Sequence, residues 1–280
     1  MGRIFNLPNV PKNDDEVQEK RGIFRFFELF FRKFVNYAKI NLLYFGFSLP
    51  IVAVVFVVMR YVAGFGIVKI VHVSQAFDGV DVTWLWVILS FGLTCFFTTV
   101  IGIGPVTAGT SYVLMCYARE EHAWIWEDIT TKAKENFKQA LLVLIIDLFV
   151  MGLLSMAFSV YLFMSGPYSF LKYVIFAMII IYVLMHIYLY PQMVTFKQTI
   201  PQLYKNSFYF ALGKFPSSFA IMIILLVMHV VLPICAYMFL GRLTPIGLGV
   251  LLVLEIFVLQ AFSMFMINFN ANSKLKEYMK

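Results

Sequence analysis

Polar and apolar positions along this chain fall into blocks. Six apolar runs, at 40–59, 84–116, 140–164, 173–195, 215–240 and 245–269, are each long enough to cross a hydrocarbon layer of about 30 Å, which takes roughly 20 helical residues. Backbone amides cannot stay unpaired in lipid, so runs of this length predict transmembrane helices. The expected fold class is an all-α integral membrane protein, a bundle of about six transmembrane helices. The second run is too long for one straight crossing and contains Gly102, Gly104 and Pro105, which predict a kink or break. The segment 62–73 is apolar but carries Gly64, Gly66, Lys69 and His72; it reads as an extension of the first helix or as an interfacial piece on the outer face. Before the first run, Arg21, Arg25, Glu28 and Arg32 recur at helical spacing, and Ile23, Phe26, Phe27, Phe30, Phe31 and Phe34 fill the other side. That pattern predicts an amphipathic helix lying in the headgroup layer. The organisation expected is an amino-terminal segment at 1–39, a transmembrane domain at 40–270 and a tail at 271–280.

Composition agrees with a bilayer setting: 61% of the 280 residues are apolar and 13% charged, against about 45–50% and about 25% in soluble domains. A net charge of +7 would point to nucleic acid only if the basic residues gathered on one surface. They flank apolar runs instead, and no nucleic-acid partner is expected. Eighteen of the 22 Lys and Arg lie in the amino-terminal tract, in the segments 119–138 and 197–214, and in the tail; Arg60, Lys69, Lys172 and Arg242 occupy the alternate segments. By the positive-inside rule this predicts a multi-pass cell-membrane protein with both termini in the cytoplasm. Two of the basic segments resemble each other: 133–141 and 204–212 share four identities in nine, and each leads into an outward-going run.

Candidate chemistry is sparse. Cys95, Cys116 and Cys235 have no paired spacing, and His72, His122, His186 and His229 are scattered, so neither a metal nor a cofactor is expected. No GxSxG, HExxH or phosphate-binding loop occurs, and an enzyme is not expected. The run Glu120-Glu121-His122 reads as a solvated face. The informative residues are ionisable ones inside the apolar runs, Asp147, His186, His229 and Glu255, because a charge at a helix centre costs about 2.5–3.5 kcal/mol on insertion scales and must face protein or water. Counting along the hairpins puts His229 and Glu255 at similar depths, and likewise Asp147 and His186. Each pair reads either as an interhelical clasp or as part of a polar route through the membrane.

Several segments resemble the YesL-like family of bacterial membrane proteins: Met1 to Asn6, the aromatic basic helix, Ser48-Leu49-Pro50-Ile51-Val52, Gly102-Ile103-Gly104-Pro105-Val106-Thr107-Ala108, and the tract 126–140. The resemblance spans most of the chain. It departs where about fifty residues, 53–102, separate the Ser-Leu-Pro and Gly-Pro-x-Thr-Ala segments, which implies a taller first hairpin or an added outer element. Members of that family are commonly encoded beside carbohydrate importers of the ATP-binding-cassette type. That association implies a role in sugar uptake. With no nucleotide-binding motif and no catalytic set, and with two basic helices and a Phe-rich amphipathic helix available for docking, the function expected is an accessory, non-catalytic subunit that binds the importer's permease subunits, with Phe27, Phe30, Phe31, Lys134, Asn136, Phe137, Lys205 and Phe208 as docking candidates. The alternative is a stand-alone secondary transporter whose route is lined by the four intramembrane residues.

Overall fold

The computed structural model describes residues 22–74, 82–240 and 244–276. All regular structure among them is helical, the arrangement in which a segment satisfies its own backbone groups within lipid. The order is α1 (Gly22–Arg32), α2 (Phe34–Ser74), α3 (Val82–Val100), α4 (Pro105–Ala118), α5 (Ile125–Glu135), α6 (Phe137–Phe163), a 3₁₀ turn (Pro167–Phe170), α7 (Leu171–Thr195), α8 (Ile200–Gly213), α9 (Phe215–Leu226), α10 (Leu232–Leu240), α11 (Thr244–Leu254) and α12 (Gln260–Leu275). One π-helical turn, Val227–Val231, joins α9 to α10, and another, Glu255–Leu259, joins α11 to α12. Among the described residues five helices are long and apolar enough to cross a membrane, and the pair α3 and α4, bent by 66°, brings the number to six if it crosses as one broken span. The chain is a multi-pass, all-α membrane bundle.

Three units repeat along it, each an amphipathic or short helix, a one-residue hinge, and a hairpin of spans. The hinges are Lys33, Asn136 and Lys214, and each is followed by a phenylalanine that is about half exposed: Phe34, Phe137 and Phe215. At each hinge the backbone turns without losing all its hydrogen bonds, because the hinge carbonyl accepts the amide four residues on, from Tyr37, Ala140 and Ser218 respectively. Those three residues are buried, and so are Ile40, Val143 and Ile221 seven residues after each hinge, and Tyr44, Asp147 and Leu225 eleven after. Spacing of four, seven and eleven keeps one stripe of the helix inward. The three outgoing helices therefore enter the bundle in the same rotational phase. Each hairpin is also tied at its base: Lys33 Nζ donates to the Glu121 carbonyl (3.4 Å), Gln139 Nε2 to the Gln198 carbonyl (3.0 Å), and Ser217 Oγ to Asn270 Oδ1 (2.6 Å). The hinges thus share one end of the bundle.

Several boundaries differ from those expected. The first span begins at Phe34, directly after the hinge. The segment 62–73 is an extension of it, since α2 runs unbroken for 41 residues to Ser74. At the other end α12 continues to Leu275, with Ala271 and Leu275 buried, so much of the expected tail is part of the core. The nine-residue likeness is out of structural register: 133–141 straddles the hinge at Asn136, whereas 204–212 lies wholly inside α8, ahead of Lys214. The first twenty-one residues, the inter-span segments 75–81 and 241–243, and the last four residues of the tail lie outside the described residues.

The helix α1 also differs from a simple two-sided pattern. Phe26, Leu29 and Phe30 are buried against Phe262 and Phe265 of α12 and Tyr37 of α2, while Ile23, Phe24, Phe27 and Phe31 are exposed. Its apolar side is split between protein and surroundings.

Candidate functional site

The polar interior is built from the three hairpins. In the second, His186 of α7 meets Asp147 of α6, Nε2 to Oδ1 at 2.9 Å, and both side chains are fully buried. The same Oδ1 accepts the hydroxyls of Tyr182 (2.6 Å) and Tyr204 (2.8 Å), the latter from α8. The other ring nitrogen of His186 faces the carbonyl of Tyr182, one turn back, at 2.8 Å. Both partners of this imidazole are acceptor oxygens, and a ring that donates from both nitrogens is the protonated one. The geometry is that of an imidazolium–carboxylate ion pair braced by two phenols.

In the third hairpin His229 Nδ1 meets Glu255 Oε1 at 2.8 Å, and its Nε2 meets Ser263 Oγ at 3.0 Å. A serine hydroxyl donates as well as accepts, so this contact does not fix which partner gives the proton. Both residues lie in π-helical turns. Such turns widen the helix and leave carbonyls without their usual amide, and they recur at functional positions. The Glu255 carbonyl, at the start of its turn, also accepts from Asn41 Nδ2 of α2 at 2.7 Å. On the other side the backbone of α3 comes so close that a Cβ on Gly92 would sit 2.3 Å from the His229 carbonyl oxygen. Only glycine fits there.

The first hairpin carries a neutral version. Tyr44 of α2 donates to the Thr98 carbonyl (2.8 Å) and lies 3.2 Å from Thr107 Oγ1. These groups surround the break between α3 and α4, where Thr107 Oγ1 accepts the Ile103 amide (2.7 Å) and Tyr190 of α7 accepts the Gly104 amide (3.1 Å). Gly102 and Gly104 have φ of +82° and +74°, a region that disfavours side chains. Gln260 Nε2 to Thr98 Oγ1, at 3.3 Å, links this group to the head of α12. Asn41, Tyr44, Thr98, Thr107 and Tyr190 escaped the sequence reading because hydroxyls and amides are not costly enough to stand out in an apolar run.

Among the described residues no cluster of three metal-ligating side chains occurs. Two carboxylate oxygens, Asp147 Oδ2 and Glu255 Oε2, are buried without a hydrogen-bond partner. A crevice of about 240 Å³ lies between α2, α3 and α6, and Asp147 and Thr98 are among its lining residues.

At the hinge end, Glu120 is no idle charge. It accepts from Arg32 (2.9 Å) and Arg25 (3.4 Å) of α1, and the hydrogen bond from Arg32 holds its carboxyl below the usual glutamate range. Lys33 beside it lies 4.0 Å from the Tyr117 ring, and burial, then Arg32, depress its ammonium pKa.

The docking candidates divide. Phe27 and Phe31 are 43% and 67% exposed, and Lys134, Phe137, Lys205 and Phe208 are exposed too. Phe30 is 3% exposed, stacked on Tyr37, so it packs within the chain and presents no surface. Asn136 turns its amide back onto the Lys132 carbonyl (2.9 Å), closing α5 at the hinge. α5 itself packs on α4, with the Ile129 carbonyl against Gly109, and α8 packs on α7.

In comparisons with protein-family models, curated proteins and solved structures, nothing matches this chain.

Proposed function

We propose that the protein is an accessory, non-catalytic membrane subunit that works by packing against other membrane subunits, namely the permease pair of a carbohydrate importer of the ATP-binding-cassette type. In this reading the hinge end faces the cytoplasm of a cell membrane, as the placement of the basic residues argues. The observation that carries it is the closure of the two histidine–carboxylate pairs. All four ring nitrogens are already engaged within the chain, which suits a fixed clasp better than a group that must exchange partners to move a substrate. The surface left for a partner is the hinge end, where Phe27, Phe31, Phe137 and Phe208 alternate with Lys134 and Lys205. The link to carbohydrate import rests on the YesL-like segments of the sequence. Affinity purification of a tagged copy from its native host, grown on an inducing polysaccharide, is expected to recover both permease subunits. Recovery of neither, from intact detergent extracts, defeats the proposal.

A second reading, a stand-alone secondary transporter, is favoured by the unpaired oxygens of Asp147 and Glu255 and by the helix broken at the Gly102–Pro105 corner, a recurrent feature of substrate sites in transporters. Neutral replacements at Asp147, His186, His229 and Glu255, assayed for uptake in vesicles lacking any importer, separate the two. A clasp shifts thermal stability and leaves no uptake to lose, whereas a route shows uptake that the replacements abolish.

A further inference from the structure

The crevice between α2, α3 and α6 differs from an ordinary groove between helices in where it opens and what lies at its base. Val54 and Val58 of α2 and Leu148 of α6 line it while being among the outward-facing residues of their helices, so its mouth opens toward the hydrocarbon layer and away from water. Its wall is completed by Val55, Leu144 and Met151, and it is almost wholly apolar. Yet Asp147, 1% exposed, is among the lining residues. All three donors to this carboxylate converge on Oδ1 from the α7 and α8 side, and Oδ2 has none. A buried carboxylate oxygen without a donor is costly, and native structures seldom leave one unserved.

We propose that this crevice binds a single-chain amphiphile that enters from the bilayer and donates one hydrogen bond from an uncharged hydroxyl to Asp147 Oδ2. Charge selects the head group. His186 already balances Asp147, so an ammonium would carry an uncompensated charge into an apolar site, whereas a hydroxyl supplies the missing donor and nothing else. Volume selects the tail. A cavity of about 150 Å³ takes the six carbons of benzene, so 240 Å³ holds roughly ten carbons by the same packing, one chain rather than the two of a membrane phospholipid.

The test uses the full chain in phosphatidylcholine nanodiscs and three photoreactive ten-carbon probes that carry a diazirine in the chain: the alcohol, its methyl ether and the matching amine. After irradiation, mass spectrometry maps the labelled residues. The alcohol is expected to label α2 and α6 around Val55, Leu148 and Met151 about tenfold more than the ether, the scale of one hydrogen bond to a charged acceptor, and more than the amine. Gly152 also lines the crevice, and a Cβ there meets nothing within 4 Å. Gly152→Leu is therefore expected to fold with an undiminished melting temperature and to label with the alcohol only at the ether level. Equal labelling of the parent protein by alcohol and ether, or preference for the amine, overturns the proposal. So does full alcohol labelling of a folded Gly152→Leu.

Discussion

The Asp147–His186 pair joins two regular helices near one flank of the bundle, whereas the His229–Glu255 pair sits in π-helical turns where α2 and α3 also close in. The first is held by donors: two phenols and an imidazole all serve one carboxylate oxygen. The second is held by backbone: an asparagine bonds the carbonyl of the wide turn, and a glycine lets a neighbouring helix lie against it. The difference teaches that identical side-chain chemistry does not fix how a buried pair is held. His186 faces two acceptors, whereas His229 faces one acceptor and one hydroxyl that can donate or accept.

That contrast is open to direct attack. Asp147→Asn takes the anion away from three side-chain partners, Tyr182, Tyr204 and His186, and is expected to cost about 3–5 kcal/mol, while Glu255→Gln alters a side chain with one such partner, His229, and is expected to cost about 1 kcal/mol. Reversible unfolding of the two variants in detergent measures both, and equal losses would mean that the two phenols add nothing to the first pair. Next in size is Gly92→Ala. Its methyl has no room beside the His229 carbonyl, so α3 must move away, at about 1–3 kcal/mol; an unchanged denaturation midpoint would mean that the two backbones do not touch. Tyr204→Phe removes one of three donors to Asp147 and is expected to lower stability by about 1 kcal/mol, with hydrogen exchange rising in α8 ahead of the other helices.

How much of this was legible beforehand depends on what a bilayer penalises. Run lengths located the spans because hydrocarbon thickness is a strict ruler, and Gly102, Gly104 and Pro105 marked the break between α3 and α4. The depths of Asp147, His186, His229 and Glu255 were readable by counting from the hairpin turns, since a charge in lipid is expensive enough to be rare. Rotation about each helix was not readable. Lipid and protein core are both apolar, so the periodicity that reveals a buried face in water is largely erased here. For that reason Phe30 was grouped with Phe27 and Phe31, although it points into the bundle. The π-helical turns at His229 and Glu255 leave no mark in composition, and the three hinges do not show as nine-residue identity, because what they share is a single break followed by phenylalanine.

The smallest effect concerns a carboxylate outside the hydrocarbon layer. Glu120, held by Arg32 and Arg25, has its folded-state pKa lowered from the ordinary 4.5. A depressed carboxylate pKa stabilises the folded state above the unfolded value and loses that contribution as pH falls through the folded one. Because the pair is solvent-exposed, the loss is expected to be no more than about 1 kcal/mol. It should be read as faster hydrogen exchange in α1 on acidification below about pH 4.5, and Glu120→Gln should abolish that pH dependence. Exchange in α1 that ignores both pH and Glu120→Gln would show that the aromatic contacts alone hold it.

The length of α2 has a mechanical consequence. At 41 residues the helix is about 60 Å long, roughly twice the apolar thickness it has to cross, and it carries Pro50 in its interior, where one backbone hydrogen bond is missing. Asn41 grips the turn that carries Glu255, and further along Trp86 grips the Arg60 carbonyl at 2.7 Å. The helix is thus held at two points, one on each side of Pro50. A sideways load at the Arg60 grip bends the rod at the proline before it turns the Glu255 segment.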